Sequence, residues 1–170
     1  RRIWIAARTR GLLCYDPGTK KLQQFSLGEV FDITTDLEHN IWVALEGGDI
    51  ARFDDDRQEF TVRIHGNNED DLGLHYDFES NCFLTDREGH LWIGTDRGVN
   101  ILSLHNPTLH IMGQRIVFNG DGKRLPRAEV TDLFQASNGD VYAGYWGKGF
   151  SWLNSQLDLK HNFSHNGTDP

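Results

Sequence analysis

Thr85-Asp86-Arg87-Glu88-Gly89-His90-Leu91-Trp92-Ile93-Gly94-Thr95-Asp96-Arg97-Gly98-Val99 reads as a β-strand held between two turns. Leu91, Trp92 and Ile93 are consecutive apolar residues, so both faces of this strand look inward, as in a sheet covered on both sides. Glu88-Gly89-His90 supplies turn chemistry ahead of it, and Gly98 marks the hairpin that follows. The reading recurs elsewhere. Ile3-Trp4-Ile5-Ala6, Ile41-Trp42-Val43-Ala44 and Val141-Tyr142-Ala143-Gly144 share with Leu91-Trp92-Ile93-Gly94 the order apolar, aromatic, apolar, small. The four begin 38, 50 and 50 residues apart.

Around each copy a larger unit emerges. A β-prone run precedes three of them (Val30 to Asp36, Ser80 to Asp86, Val130 to Ala136) and ends in a turn at 38–40, 88–90 or 138–140. Glycine-bearing hairpins follow, at Gly11, Gly47-Gly48, Gly98, and Gly147 with Gly149. A third strand comes next (Leu12 to Tyr15, Asp49 to Phe53, Val99 to Leu102, Phe150 to Leu153), then a polar turn and a fourth, as in Leu22 to Phe25 and Glu59 to Arg63. Four antiparallel strands, here a, b, c and d, in about 40 residues plus a variable connection match one propeller blade. No segment keeps a 3.6-residue apolar period over three turns, which excludes a helical reading. The expectation is an all-β chain forming part of a β-propeller. It divides into an incomplete blade at 1–28 with strands b to d, a blade plus long connection at each of 29–79 and 80–129, and a blade with a trailing connector from Asn162 at 130–170. An open arc leaves an apolar sheet face bare at each end, so either further blades or another chain, a homodimer included, are expected to cover them.

The chain has 170 residues, with 17 Lys and Arg against 25 Asp and Glu, and a net charge of −8. That balance speaks against a nucleic-acid partner, whose affinity comes from clustered basic side chains. No run approaches the roughly 18 apolar residues of a membrane helix, so any membrane attachment lies in segments outside this chain. Met112 is the single methionine and Arg1 opens the chain, so a piece of a longer polypeptide is expected. Cys14 and Cys82 fall in strands two blades apart and are expected to be free, buried thiols.

The stretch from Thr85 to Val99 resembles the two-component regulator propeller repeat, whose general form is D-x-x-G-x-L-W-I-G-T-x-x-G-L. Asp36 to Ala44 is a fair match without the glycine of the a–b turn. Ile3-Trp4-Ile5 with Arg10-Gly11-Leu12 matches as well. The fourth unit departs most, with Tyr142 for Trp and Tyr145 for Thr. The resemblance implies the periplasmic sensor region of a hybrid two-component histidine kinase of Bacteroides type, in which seven-bladed propellers detect oligosaccharides. It implies a signalling role without catalysis by this chain and without a cofactor. Two rival readings are a rigid interaction or dimerisation scaffold without its own ligand site, and a propeller lyase or glycosidase whose catalytic groups lie on other blades.

Recurrence at one place in the repeat assigns Trp4, Trp42, Trp92 and Tyr142 to blade packing, and Gly11, Gly48 and Gly98 to turns with positive φ. Asp36 and Asp86 stand before the a–b turn, where a short carboxylate can accept from backbone amides. Departures from the repeat are more informative for function. The b–c hairpins share a face with the d–a connections, and there the chain would present Arg8, Arg10, Glu46, Asp96, Arg97, Tyr145, Trp146 and Lys148. Tyr145 and Trp146 beside charged groups suit a sugar, whose apolar face stacks while its hydroxyls bond at the edge. The long connection at 64–79 adds His75 and Tyr76, and that at 113–129 carries several basic residues. The runs Asp54-Asp55-Asp56 and Glu69-Asp70-Asp71 lack EF-hand spacing. His161 and His165 have no helix to align them on a metal, so no metal site is expected.

Overall fold

The structure, a computed structural model, describes residues 2–64, 80–96, 98–103, 125–126 and 128–164. Fourteen strands carry these residues, with one short 3-10 turn at Glu46–Gly48. In blade 1, β1 (Ile3–Ala7), β2 (Gly11–Asp16) and β3 (Lys21–Phe25) form a three-stranded sheet. Blade 2 holds β4 (Val30–Thr35), β5 (Ile41–Leu45), β6 (Ile50–Asp54) and β7 (Glu59–Ile64). The described residues of blade 3 give β8 (Ser80–Thr85), β9 (His90–Thr95) and β10 (Gly98–Ser103). Blade 4 comprises β11 (Val130–Gln135), β12 (Val141–Tyr145), β13 (Gly149–Leu153) and β14 (Leu159–Phe163). Every neighbouring pair is antiparallel and in sequence order. The trailing connector expected from Asn162 is corrected: Asn162 pairs with Ser151 inside β14, and its side chain accepts the Ser151 hydroxyl at 2.6 Å.

The sheets stack face to face, and the core lies between them in three layers. Trp4 points into the layer between blades 1 and 2, with Leu12, Val43 and Phe53. Trp42 packs against Leu91 and Ile93 of blade 3, and Trp92 against Val141, Ala143 and Leu153 of blade 4. Strand b therefore buries its aromatic against the next blade and its flanking aliphatic residues against the previous one. That is the physical reason for the unbroken apolar run Leu91-Trp92-Ile93, all three residues fully buried. Removing each such side chain from water contributes about 2 kcal/mol or more.

The indole N–H groups inside these layers also need partners. Trp42 Nε1 donates to Asp36 Oδ2 at 3.0 Å and Trp92 Nε1 to Asp86 Oδ2 at 2.8 Å. The other oxygen of each carboxylate accepts the amide of the residue that opens strand b, Asn40 at 2.8 Å and His90 at 2.7 Å. One carboxylate thus clamps the a–b turn and anchors the buried Trp. Sterics require glycine where strand c begins in blades 1 and 4. A Cβ on Gly11 would stand 2.4 Å from the Phe25 carbonyl oxygen, and one on Gly149 would stand 1.9 Å from that of Phe163. Gly11, Gly48 and Gly98 all have positive φ.

Candidate functional site at the hairpin face

The innermost strands β4, β8 and β11 lie side by side, with β1 next to β4 where blade 1 has no described strand a. Each inner strand carries a β-bulge at the same place. Pairing skips between Val30 and Asp32, between Ser80 and Cys82, and between Val130 and Asp132. The extra residues are Phe31, Asn81 and Thr131. A bulge re-aims one side chain out of the regular alternation, and here three successive blades turn theirs to a common place.

That place is a depression of about 390 Å³ lined by Ala6 and Arg8 of blade 1, Val30 and Phe31 of blade 2, Asn81 of blade 3, and Glu129, Thr131 and Trp146 of blade 4. The b–c hairpins of blades 1 and 4 reach it through Arg8 and Trp146, and the hairpins of blades 2 and 4 are pinned to the residues that enter their blades. Glu46 N donates to the Glu29 carbonyl at 3.1 Å, and Trp146 N to the Glu129 carbonyl at 2.9 Å. The Arg8 guanidinium lies 4.7 Å from the Phe31 ring centroid and its Nε stands 3.5 Å from Glu29 Oε2. The Trp146 indole is 74% exposed.

Carboxylates dominate this region. Asp32 accepts from Ile33 N at 2.8 Å and, across the blade boundary, from Phe83 N at 2.7 Å. Burial holds its carboxyl above the usual range, the two amide bonds oppose that shift, and Asp132 adds to it. Asp96 is also raised, by burial first and then by Glu129. Between the two aspartates in blade order sits Cys82, buried and pushed up to about 12 by burial, with Asp32 and Asp132 contributing. A thiol in that state is no nucleophile, and both cysteines are free and buried.

A second, polar depression of about 280 Å³ lies between blades 1 and 2 and brings Arg10 together with Gln24, Glu29 and Glu46. Gln24 Nε2 closes it by donating to the Arg10 carbonyl at 2.8 Å.

The expected site residues thus separate. Arg8 and Trp146 meet at the first depression, Arg10 and Glu46 at the second, and Asp96 comes within electrostatic reach of Glu129. Lys148 is exposed on the hairpin but lines neither depression. The expectation for Tyr145 is corrected. It is the last residue of β12, only 5% exposed, and burial pushes its phenol up to about 12. Period-two alternation turns Tyr145 inward with Val141 and Ala143, and leaves the turn residue Trp146 outside. Arg97, His75 and Tyr76 lie outside the described residues. Phe31, Asn81, Thr131 and Glu129 escaped the sequence reading because their side chains share no chemistry; the only signal is their common position at the start of strand a. Among the described residues no group of three His, Cys, Asp or Glu side chains is placed to hold a metal ion.

Residues 74–97 match the family model described as two component regulator propeller. One copy of that repeat is matched, at these residues. The match covers the stretch with the Asp86–Trp92 clamp, and the other blades vary that unit. Among solved structures, the extracellular domain of the hybrid two component system BT4673 from B. thetaiotaomicron superposes with a TM-score of 0.73 at 19% identity, over 99% of this chain and 21% of that one. The extracellular domain of BT3049 from the same organism gives 0.68 at 21% identity, over 91% and 19%. PorZ, a bacterial surface component of the type-IX secretion system of Porphyromonas gingivalis, gives 0.69 at 16% identity, over 98% and 26%. These likenesses establish the propeller fold, and the chain spans about a fifth to a quarter of each neighbour. No curated protein matches the chain. Among the described residues no helix is long and apolar enough to cross a membrane.

Proposed function

We propose that this chain is part of the periplasmic propeller with which a hybrid two-component sensor kinase detects an oligosaccharide. The observation that carries the reading is the propeller repeat matched at 74–97, set in a fold like that of two extracellular domains of hybrid systems. The hairpin face supports it with a ligand-sized depression that four blades share. A ligand held by several blades acts on signalling by binding one arrangement of blades or subunits better than another. The propeller itself contributes recognition and leverage, and the phosphotransfer chemistry belongs to segments outside this chain.

The test is thermal unfolding of the full-length protein with a broad panel of neutral and acidic oligosaccharides. A cognate sugar at a hundred times its dissociation constant adds about 2.7 kcal/mol to stability, enough to raise the midpoint by a few degrees. No shift with any sugar overturns the oligosaccharide reading. The likeness to PorZ favours one rival, a surface scaffold that works through protein contacts. Replacing the exposed Trp146 by Ala separates the two: a sensor loses sugar affinity, whereas a scaffold loses self-association or partner binding and keeps whatever sugar response it had.

A further inference from the structure

We propose that the depression at the bulged ends of the inner strands is the sugar site, that Trp146 is its stacking platform, and that it takes an uncharged glycan rather than a uronate or a sulfated one. This rests on the sensor reading above and narrows it to a place and a ligand class.

Two aromatic rings line the depression, and they are not equivalent. The Phe31 face is occupied by the Arg8 guanidinium, whereas the Trp146 indole is 74% exposed. An apolar ring exposed in a tight turn adds nothing to the core. It offers the flat surface on which the C–H face of a pyranose packs. Its backbone is held in place by the bond from Trp146 N to the Glu129 carbonyl, so the platform needs little ordering when a ligand arrives. The polar groups around it suit hydroxyls: Asn81 brings an amide, Thr131 a hydroxyl and Glu129 a carboxylate acceptor. A volume of about 390 Å³ falls within the range of about 300–1,000 Å³ typical of small-molecule sites.

Charge selects the class. The basic side chain lining the depression is Arg8, and it already faces Glu29 and Phe31. Against it stand Glu129 on the rim, Asp96 close enough to feel Glu129, and Asp32 and Asp132 beside the bulged residues. Among the described residues this is a field of carboxylates. A ligand carboxylate or sulfate would meet like charge and lose hydration, and among the described residues the guanidinium that lines the depression, Arg8, already faces Glu29. Neutral hydroxyls, by contrast, donate to these same oxygens.

The experiment is calorimetry and tryptophan fluorescence on the full-length protein at constant ionic strength. The neutral probes are cellobiose, maltose, mannobiose, xylobiose and the mixed neutral digests of plant and yeast wall glycans; digalacturonate and a sulfated disaccharide are the acidic probes. A neutral glycan is expected to bind at least about tenfold more tightly than either acidic probe and to perturb Trp146 emission. Trp146→Ala, an exposed position that leaves the fold intact, should weaken that binding by about tenfold or more. Glu129→Gln should narrow the neutral-over-acidic preference, a change that a merely structural residue would not produce. Acidic probes binding as well as neutral ones overturn the ligand class. Affinity within twofold of wild type in Trp146→Ala overturns the site, and both results leave the sensor reading standing. No response to any glycan overturns the sensor reading and this inference together.

Discussion

Blades 3 and 4 solve the same packing problem with different residues. In blade 3 the carboxylate sits at the end of strand a, on Asp86, and reaches the indole of Trp92 in strand b. In blade 4 the place of Asp86 is taken by Ala136, whose amide makes the same turn bond to Asp140 that the Asp86 amide makes to His90. The carboxylate has moved four residues on, to Asp140, and the indole has crossed to strand c. Trp152 is the pairing partner of Tyr142 and donates to Asp140 Oδ2 at 2.9 Å. Asn138 completes the turn by donating to the same oxygen at 2.9 Å. The repeat therefore preserves a bond between a carboxylate and an indole at the a–b turn, and lets the residues that make it migrate together.

The largest test of this comparison removes the carboxylate. Asp86→Ala strands the buried Trp92 N–H and the His90 amide, and should cost about 3 kcal/mol in urea unfolding. Asp140→Ala should cost about 2 kcal/mol, because Trp152 is only half-buried and water can reach its N–H. Equal losses, or a larger one at Asp140, would break the contrast between the two clamps. A second test contrasts the inner-strand aspartates. Asp32 receives an amide from the next blade, whereas Asp132 is exposed and its described bond is to the adjacent Leu133 amide at 2.9 Å. Asp32→Ala should cost about 2 kcal/mol and Asp132→Ala a few tenths in the same assay.

The third test is a pH profile. Because the fold raises the Asp32 carboxyl above its ordinary range, it favours the neutral form. The stability this provides is present below the ordinary carboxylate pKa and is lost as pH rises through the raised one, with a slope of at most about 1.4 kcal/mol per pH unit. Asp32→Asn should flatten that part of the profile, while Asp132→Asn, which removes a charge that adds to the Asp32 shift, should only move it slightly toward lower pH. The last test concerns the a–b turns. His39 adopts φ 68° where blades 3 and 4 place Gly89 and Gly139. His39→Gly should gain about 0.5–1 kcal/mol and Gly89→His should lose a similar amount. A loss on His39→Gly would mean that its side chain does more than tolerate the turn.

Much of this molecule was readable before any coordinate. Four apolar-aromatic-apolar-small strands, the turns ahead of them and the glycines behind them specified four-stranded blades, because side-chain period and turn chemistry act within a few residues of chain. The observed strands begin and end within about one residue of those expectations except at β14, whose polar Lys160-His161-Asn162 looks like a connector until it pairs with β13. Tyr145 and Trp146 show the boundary from the other side. Adjacent in sequence and alike in chemistry, they are separated by the last pleat of β12, which buries one and exposes the other. Composition could nominate the pair but could not choose between them.

What the sequence determined by itself was the repeat, the all-β class and the face on which the hairpins gather. Each of these follows from local periodicity. What only the tertiary structure decided was the partnership of Asp140 with Trp152, the three bulges and the depression they build. Those depend on register between strands and on stacking between blades, where residues far apart in the chain and unlike in chemistry come to one point. Phe31, Asn81 and Thr131 have nothing in common except the place to which the pleat, once interrupted, sends them.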